Sequence, residues 1–109
     1  MGIREERVAE EIRVKLRILP SALKDLAVSA EFYERQGEGL GSYFLDTLFS
    51  DIDSLLLYAG IHRKIGTYHR SVSKRFPYAI YYRVHSDVVE VWRVLDCRRD
   101  PAKIRKALK

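Results

Sequence analysis

The sequence has almost no cysteine. Its one copy, Cys97, has no partner for an internal disulfide and cannot build a thiolate cluster around a metal. Histidine is scarce as well: His62, His69 and His85 stand seven or more positions apart. None has the i, i+4 or H-x-H spacing that sets two imidazoles on one ion, so the reading is no metal and no cofactor. Long apolar runs are missing too, since no stretch reaches the roughly 18 residues of a membrane helix. The opening residues, MGIREERVAEEIR, lack the apolar core of a secretory signal. These absences point to the reducing cytoplasm, with Cys97 as a small buried residue at a strand end rather than a reactive thiol.

Twenty Lys and Arg against fifteen Asp and Glu leave a formal charge of +5. A positive surplus of this kind steers acidic surfaces and polyanions toward the chain. A length of 109 residues suits one domain with one modest core. Residues 1–12, including IREERVAEEI, offer only Ile3, Val8 and Ile12 for packing and read as an extension, helical or disordered, ahead of a domain at 13–109.

Alternation in VKLRIL predicts a half-buried strand from Val14 to Leu19 that ends at Pro20. Ser21 then serves as a helix cap. Leu23, Leu26, Ala27, Ala30 and Tyr33 give an apolar stripe at helical spacing. The loop QGEGLG precedes no GKS or GKT and follows a helix, so it reads as helix termination rather than a phosphate cradle. Phe44, Leu48, Ile52, Leu55 and Leu56 form a second stripe in a helix from Ser42 to Tyr58, which makes an antiparallel helical hairpin.

Three strands follow, at Tyr68 to Lys74, Tyr78 to Val84 and Val88 to Leu95. A two-residue turn at Ser86-Asp87 sets Val84 opposite Val89, Arg83 opposite Glu90, Tyr82 opposite Val91 and Tyr81 opposite Trp92. The helical hairpin then covers Ile80, Tyr82, Val84, Val89, Val91 and Leu95. Arg93 falls on that same side, where it fits only at a margin. Ala79, Tyr81, Arg83, Glu90, Trp92 and Val94 line a second, semi-polar face that no other element evidently buries. Arg83 and Glu90 read as a cross-strand ion pair. In DPAKIRKALK, Asp100 caps and Pro101 opens a short basic helix.

The stretches RFPYAIYYRV and VVEVWRVLDCRRDP, with EFYERQGEGLGSYFLDTL before them, resemble the RelE/ParE superfamily over Val14 to Pro101. These are the toxin halves of bacterial type II toxin–antitoxin modules, often labelled plasmid stabilisation proteins. The resemblance implies an α+β fold: a helical hairpin on a small, mainly antiparallel four-stranded sheet (β-α-α-β-β-β), with a short C-terminal helix. It also implies a cognate antitoxin that wraps the toxin, and assembly as a dimer or a toxin–antitoxin hetero-oligomer.

Two activities belong to the superfamily. RelE-like members cut mRNA in the ribosome without metal; ParE-like members bind DNA gyrase and poison it. The RelE pattern relies on lysines, arginines and a C-terminal tyrosine, while some relatives use a Glu with a His-Tyr pair. Against it, Arg70 stands at the first lysine, Val72 at the second, Ala79 at an arginine, Arg99 at the last-strand arginine and Arg105 at the tyrosine. Leu95, Asp96 and Cys97 do not match the Glu and His-Tyr set. An arginine holds phosphate well but is a poor base. The resemblance therefore favours a ParE-like gyrase poison over a ribosome-dependent nuclease, with a non-toxic antitoxin-binding remnant as a third reading. The implied target-binding residues are Arg70, Tyr81, Arg83, Trp92, Arg98 and Arg99. A nuclease would draw on Arg70, Lys74, Arg83 and Arg99. Arg98 is also read as a structural ion pair with Asp100.

Overall fold

The computed structural model describes residues 15–109. The extension at 1–12, the domain start at 13 and the strand start at Val14 lie outside the described residues. The chain runs β1 (Lys15–Ile18), α1 (Pro20–Gln36), α2 (Leu40–Asp53), α3 (Leu55–Tyr58), β2 (Lys64–Ile65), β3 (Tyr68–Val72), β4 (Tyr78–His85), β5 (Val88–Asp96) and α4 (Pro101–Ala107). The fold is α+β, as anticipated. Its sheet has five strands in the order β1-β5-β4-β3-β2, because the short β2 adds an edge beside β3. β1 lies parallel to β5 and the other pairings are antiparallel.

Pro20 does not merely end β1: it occupies the first turn of α1, where its fixed φ suits the helix and its missing N–H costs nothing. Ser21 does not cap. Its hydroxyl instead donates to the carbonyl oxygen of Trp92 on β5, at 2.8 Å. The buried stripe of α1 is Ala22, Leu26 and Ala30, with Tyr33 half-buried beside it, while Leu23 and Ala27 face outward. On the second helix Phe44, Leu48, Ile52 and Leu55 are buried as expected, and Leu56 is exposed. That helix is interrupted at Ser54, so α3 is only a turn appended to α2.

The glycine loop ends α1 and lets α2 approach it closely. Gly39 adopts φ 85°, the left-handed region open to glycine. A Cβ at Gly41 would lie 2.7 Å from the carbonyl oxygen of Ala30, so only glycine fits there. The anion at the start of α2 is the chain's own: Glu34 accepts hydrogen bonds from the N–H groups of Gly39 at 3.0 Å and Gly41 at 2.9 Å. Those two bonds hold its carboxyl below the ordinary range.

The hairpin of β4 and β5 keeps the expected register from His85–Val88 through Tyr82–Val91. A β-bulge then intervenes, and Tyr81 pairs with Arg93 rather than Trp92. Every later residue of β5 changes face. Val94 joins the core beneath the helices and Leu95 goes to the other side, the reverse of the sequence expectation. Arg93 finds its place in the same shift: its Nε and Nη2 donate to the two oxygens of Asp25 on α1 at 2.7 and 2.8 Å. Asp25 also accepts the N–H of Val94 at 3.0 Å.

The tyrosines of KRFPYAIYYRV divide accordingly. Tyr78 and Tyr82 pack under the helices, and Tyr81 packs on the opposite side. Tyr78 joins an aromatic cluster with Tyr33, Phe44 and Phe76, in which Phe44 lies 4.9 Å from Tyr78 and 5.0 Å from Phe76 between ring centroids. Each fully buried large side chain, such as Phe44, Leu26 or Ile52, contributes roughly 1.5–3 kcal/mol by leaving water.

Asp25→Ala removes the carboxylate from a partly buried, bidentate pair and leaves the Val94 N–H unpaired. Denaturant unfolding should register a loss of about 2–4 kcal/mol, whereas Glu31→Ala, which loses only an exposed pair with Arg35, should change stability by about 0.5 kcal/mol or less. The depressed acidity of Glu34 has a definite sign. Its stabilising effect is complete above the ordinary Glu value, about 4.3, and is lost as pH falls through its lower folded value. The stability difference between wild type and Glu34→Gln should therefore be constant near neutrality and shrink in acid.

Candidate functional site

The sheet face opposite the helical hairpin is not open. α4 lies across it, and Ile104, Ala107 and Leu108 pack on Tyr68, Ala79, Tyr81 and Leu95. Tyr81 is 2% exposed, so its ring belongs to this second core rather than to a contact surface. The expectation of an uncovered aromatic face is corrected here; the bulge supplied the reason, because it delivers Leu95 to this side as an apolar seat for α4.

Arg70 is drawn into the same assembly. Its Nε donates to the Tyr81 hydroxyl at 3.3 Å and its Nη2 to Cys97 Sγ at 3.4 Å. The bond to Tyr81 is the main reason its guanidinium is held above its ordinary value. Cys97 is half-buried against the second core.

Arg83 stands opposite Glu90 in the ladder, yet the two form no ion pair. Its guanidinium lies over the ring of Tyr68 at 4.2 Å and over that of Trp92 at 4.8 Å, and its Nη2 donates to Thr67 Oγ1 at 2.7 Å. Two aromatic faces thus replace the carboxylate as its partner. Glu90 instead meets Arg17 at 3.6 Å and His85 Nε2 at 3.1 Å. The Nε atoms of Arg83 and Trp92 are buried with no acceptor among the described residues.

At the end of β5, Arg98 binds Asp96, not Asp100. Its Nε and Nη2 reach the two carboxylate oxygens at 3.0 and 2.8 Å. Hydrogen bonding to Arg98 is the leading cause that lowers the Asp96 carboxyl. Asp100 performs the expected cap, accepting the N–H of Ala102 at 2.9 Å. Arg99 is exposed and lines an open cleft of about 220 Å³ with Lys24, Asp25, Ser29, Tyr78 and Asp96.

Lys74 lies elsewhere, in a cleft beside α2 with Tyr43, Asp46, Ser50, Asp51 and Arg75. The four residues on which a nuclease would draw are thus distributed over four surroundings. Arg70 faces Tyr81 and Cys97, Arg83 the Tyr68–Trp92 pair, Arg99 the cleft beside α1, and Lys74 the cleft beside α2.

The histidines serve the fold. His62 Nδ1 hydrogen-bonds the Tyr82 hydroxyl, which also accepts the N–H of Gly60 at 3.1 Å. His69 stacks on the Tyr82 ring with centroids 5.1 Å apart. Burial, then the neighbouring His69, lowers the His62 imidazole. Among the described residues no three His, Cys, Asp or Glu side chains converge as a metal site.

Two basic residues outside the expected target-binding set stand near the Gly66 turn: Lys64 is exposed on β2, and Arg105 lines a pocket of about 270 Å³ with Thr67, Tyr68 and Leu108. Tyr81→Ala should cost about 3–5 kcal/mol, as deletion of a buried aromatic does, while Arg99→Ala should leave the melting temperature unchanged. Thermal unfolding of the two purified variants separates a structural tyrosine from a surface arginine.

Three comparisons with known proteins bear on this arrangement. No curated protein matches the sequence. The chromosomal ParDE TA system from P. aeruginosa contains a solved chain that superposes with a TM-score of 0.69 at 15% identity, covering 76% of this chain and 95% of that one. That likeness establishes the shared fold. The family model for the ParE toxin of the type II toxin-antitoxin system, parDE, matches residues 16–101. From β1 to the first residue of α4, the chain belongs to the ParE toxin family.

Proposed function

We propose that this toxin acts by binding DNA gyrase, without cutting RNA, and that a cognate antitoxin neutralises it. The observation that carries this reading is the dispersal of Arg70, Lys74, Arg83 and Arg99, together with the internal engagement of Arg70 and Arg83. Metal-free RNA cleavage needs a base, a cationic cradle and an acid around one phosphate. Here the cations are separated, and the one tyrosine hydroxyl beside Arg70 is buried in the second core. Binding does not need such convergence. It uses the exposed rim, where Arg99 and Arg98 flank the start of α4.

The antitoxin has an apolar seat on the helices. Phe32 on α1, Tyr43 and Phe49 on α2, and Leu57 with Ile61 beyond them all stand exposed, the last two at 79% and 74%. Apolar side chains spaced along a helical hairpin suit an amphipathic helix from another chain. The same seat supports toxin–antitoxin hetero-oligomers as the assembled state in the cytoplasm.

Purified toxin should block gyrase supercoiling and leave ribosome-bound mRNA uncut. The measurements are a plasmid supercoiling gel and primer extension on translated transcript. Intact supercoiling activity with codon-phased mRNA breaks would reverse the assignment in favour of the nuclease. Arg99→Ala should weaken growth arrest without affecting stability, and undiminished arrest would remove the rim arginine from the contact.

A further inference from the structure

At one end of the sheet β4 outruns its neighbour. β3 begins at Tyr68 and its ladder with β4 starts at the His69–Tyr82 pair, so Arg83, Val84 and His85 extend past it. The Ser73 N–H donates to the carbonyl oxygen of Tyr78, which sets the alternation along β4: Tyr78, Ile80, Tyr82 and Val84 turn their backbone groups toward β3. Val84 would there meet Thr67, yet among the described residues no backbone hydrogen bond joins the two. β5 offers no substitute. Val89, opposite Val84, belongs to the alternate residues that face β1, as Val91 does when its carbonyl oxygen accepts the Leu19 N–H.

The notch left beside Val84 is a cleft of about 290 Å³, walled by Lys64, Thr67, His69, Arg83, Val84 and His85. No carboxylate lines it. The clefts that hold Arg99 and Lys74 differ in this respect, since the first includes Asp25 and Asp96 and the second Asp46 and Asp51. Arg83 is held in place over the rings of Tyr68 and Trp92, and its hydrogen-bond acceptor among the described residues is Thr67 Oγ1. Having accepted that bond, the Thr67 hydroxyl keeps its own hydrogen to donate. Lys64 is exposed, with no acidic side chain of the described residues within ion-pair distance. His69 Nδ1 is bonded to the carbonyl oxygen of His62 at 2.9 Å, which leaves Nε2 alone free. His85 bonds Glu90 at 3.1 Å and serves only as a wall.

We propose that this notch binds a phosphate monoester group. Such a group carries close to two negative charges and three strong acceptor oxygens. That number suits the Arg83 guanidinium, the Lys64 ammonium, the Thr67 hydroxyl and the Val84 N–H together, whereas a carboxylate brings two oxygens and a single charge. The carbonyl oxygen of Val84 lies on the same edge and stays with water. Because the aromatic rings already fix Arg83, little side-chain freedom is lost when the anion arrives. The site is separate from the Arg99 cleft and does not depend on gyrase as the target.

The test is a nuclear magnetic resonance titration of the isotope-labelled toxin at fixed ionic strength. The probes are inorganic phosphate, adenosine 5′-monophosphate, a short 5′-phosphorylated oligonucleotide and the same oligonucleotide with a 5′-hydroxyl. Phosphate should shift the Thr67 and Val84 amide signals and the Arg83 Nε–H along saturating curves, and chloride should not. Lys64→Ala should weaken that binding about tenfold, as loss of one charged hydrogen bond does, and Lys74→Ala should leave it unchanged. Tighter binding of the mononucleotide makes the ligand a small molecule, and tighter binding of the phosphorylated oligonucleotide makes it a nucleic-acid end; either supports a monoester site. The proposal is overturned if the shifts fail to saturate by roughly 10 mM phosphate, or if chloride reproduces them. It is overturned equally if a folded Lys64→Ala keeps the wild-type affinity, or if the 5′-hydroxyl oligonucleotide binds as well as the phosphorylated one.

Discussion

The architecture depends on one local irregularity and the helix that secures it. Trp92 is the extra residue of a bulge in β5, and a bulge interrupts the ladder that would otherwise satisfy the backbone. The first turns of α1, with Leu19 just before them, supply substitutes. Ser21 donates to the carbonyl oxygen of Trp92, Asp25 accepts from the Val94 N–H, and the Leu19 N–H donates to the carbonyl oxygen of Val91 at 3.0 Å. Ser21 and Asp25 are one helical turn apart and therefore share a face. The same carboxylate holds Arg93, so one side chain closes both a backbone gap and a charge.

Because side chains alternate across a strand, one inserted residue exchanges the faces of all that follow. Val94 enters the core under the helices and Leu95 enters the core under α4, so a single strand serves two cores. Without the bulge, Val94 would be the residue offered to α4 and the cationic Arg93 would point toward the buried aliphatic groups of α1. The bulge thus makes a two-sided sheet possible in a chain of this length. It also accounts for Tyr81, which is buried only because Leu95 and α4 close over it.

The sequence made the framework legible because its signals are periodic. Phe44, Leu48, Ile52 and Leu55 recur at helical spacing, Asp100-Pro101 opens a helix by local chemistry, and the Ser86-Asp87 turn fixes the hairpin register up to Tyr82. Ser86 does sit at φ 52°, as a tight hairpin turn requires. The bulge was not legible, since no glycine or proline marks it and Trp92 suits a strand as well as a bulge. Its partner Asp25 lies far away in sequence, beside Lys24 on α1, so the pairing exists only in three dimensions. The site misreadings follow from that one omission: Arg93 without a place, Tyr81 and Trp92 on an open face, and a face with nothing to cover it. Arg83 and Arg98 were misassigned for a different reason. Each had a carboxylate at plausible distance in sequence or register, and each found a better partner, in the aromatic pair for Arg83 and in bidentate Asp96 for Arg98.

How the cations are divided decides what the molecule can offer another macromolecule. Guanidinium groups suit the interior tasks, because a planar fork forms bidentate pairs with Asp25 and Asp96 and stacks on Tyr68 and Trp92. An ammonium group offers no such geometry, and Lys64, Lys103 and Lys106 all remain in solvent. A net charge of +5 is therefore unevenly distributed along the chain. Residues 20–58 hold seven acids against two cations, and several arginines are neutralised in place, so the surplus lies on the segments that follow the hairpin in sequence. Electrostatic steering depends on that distribution more than on the total. The density of arginine in the strands is thus a matter of architecture, while the charge left for other macromolecules is carried largely by exposed lysines and the rim arginine Arg99.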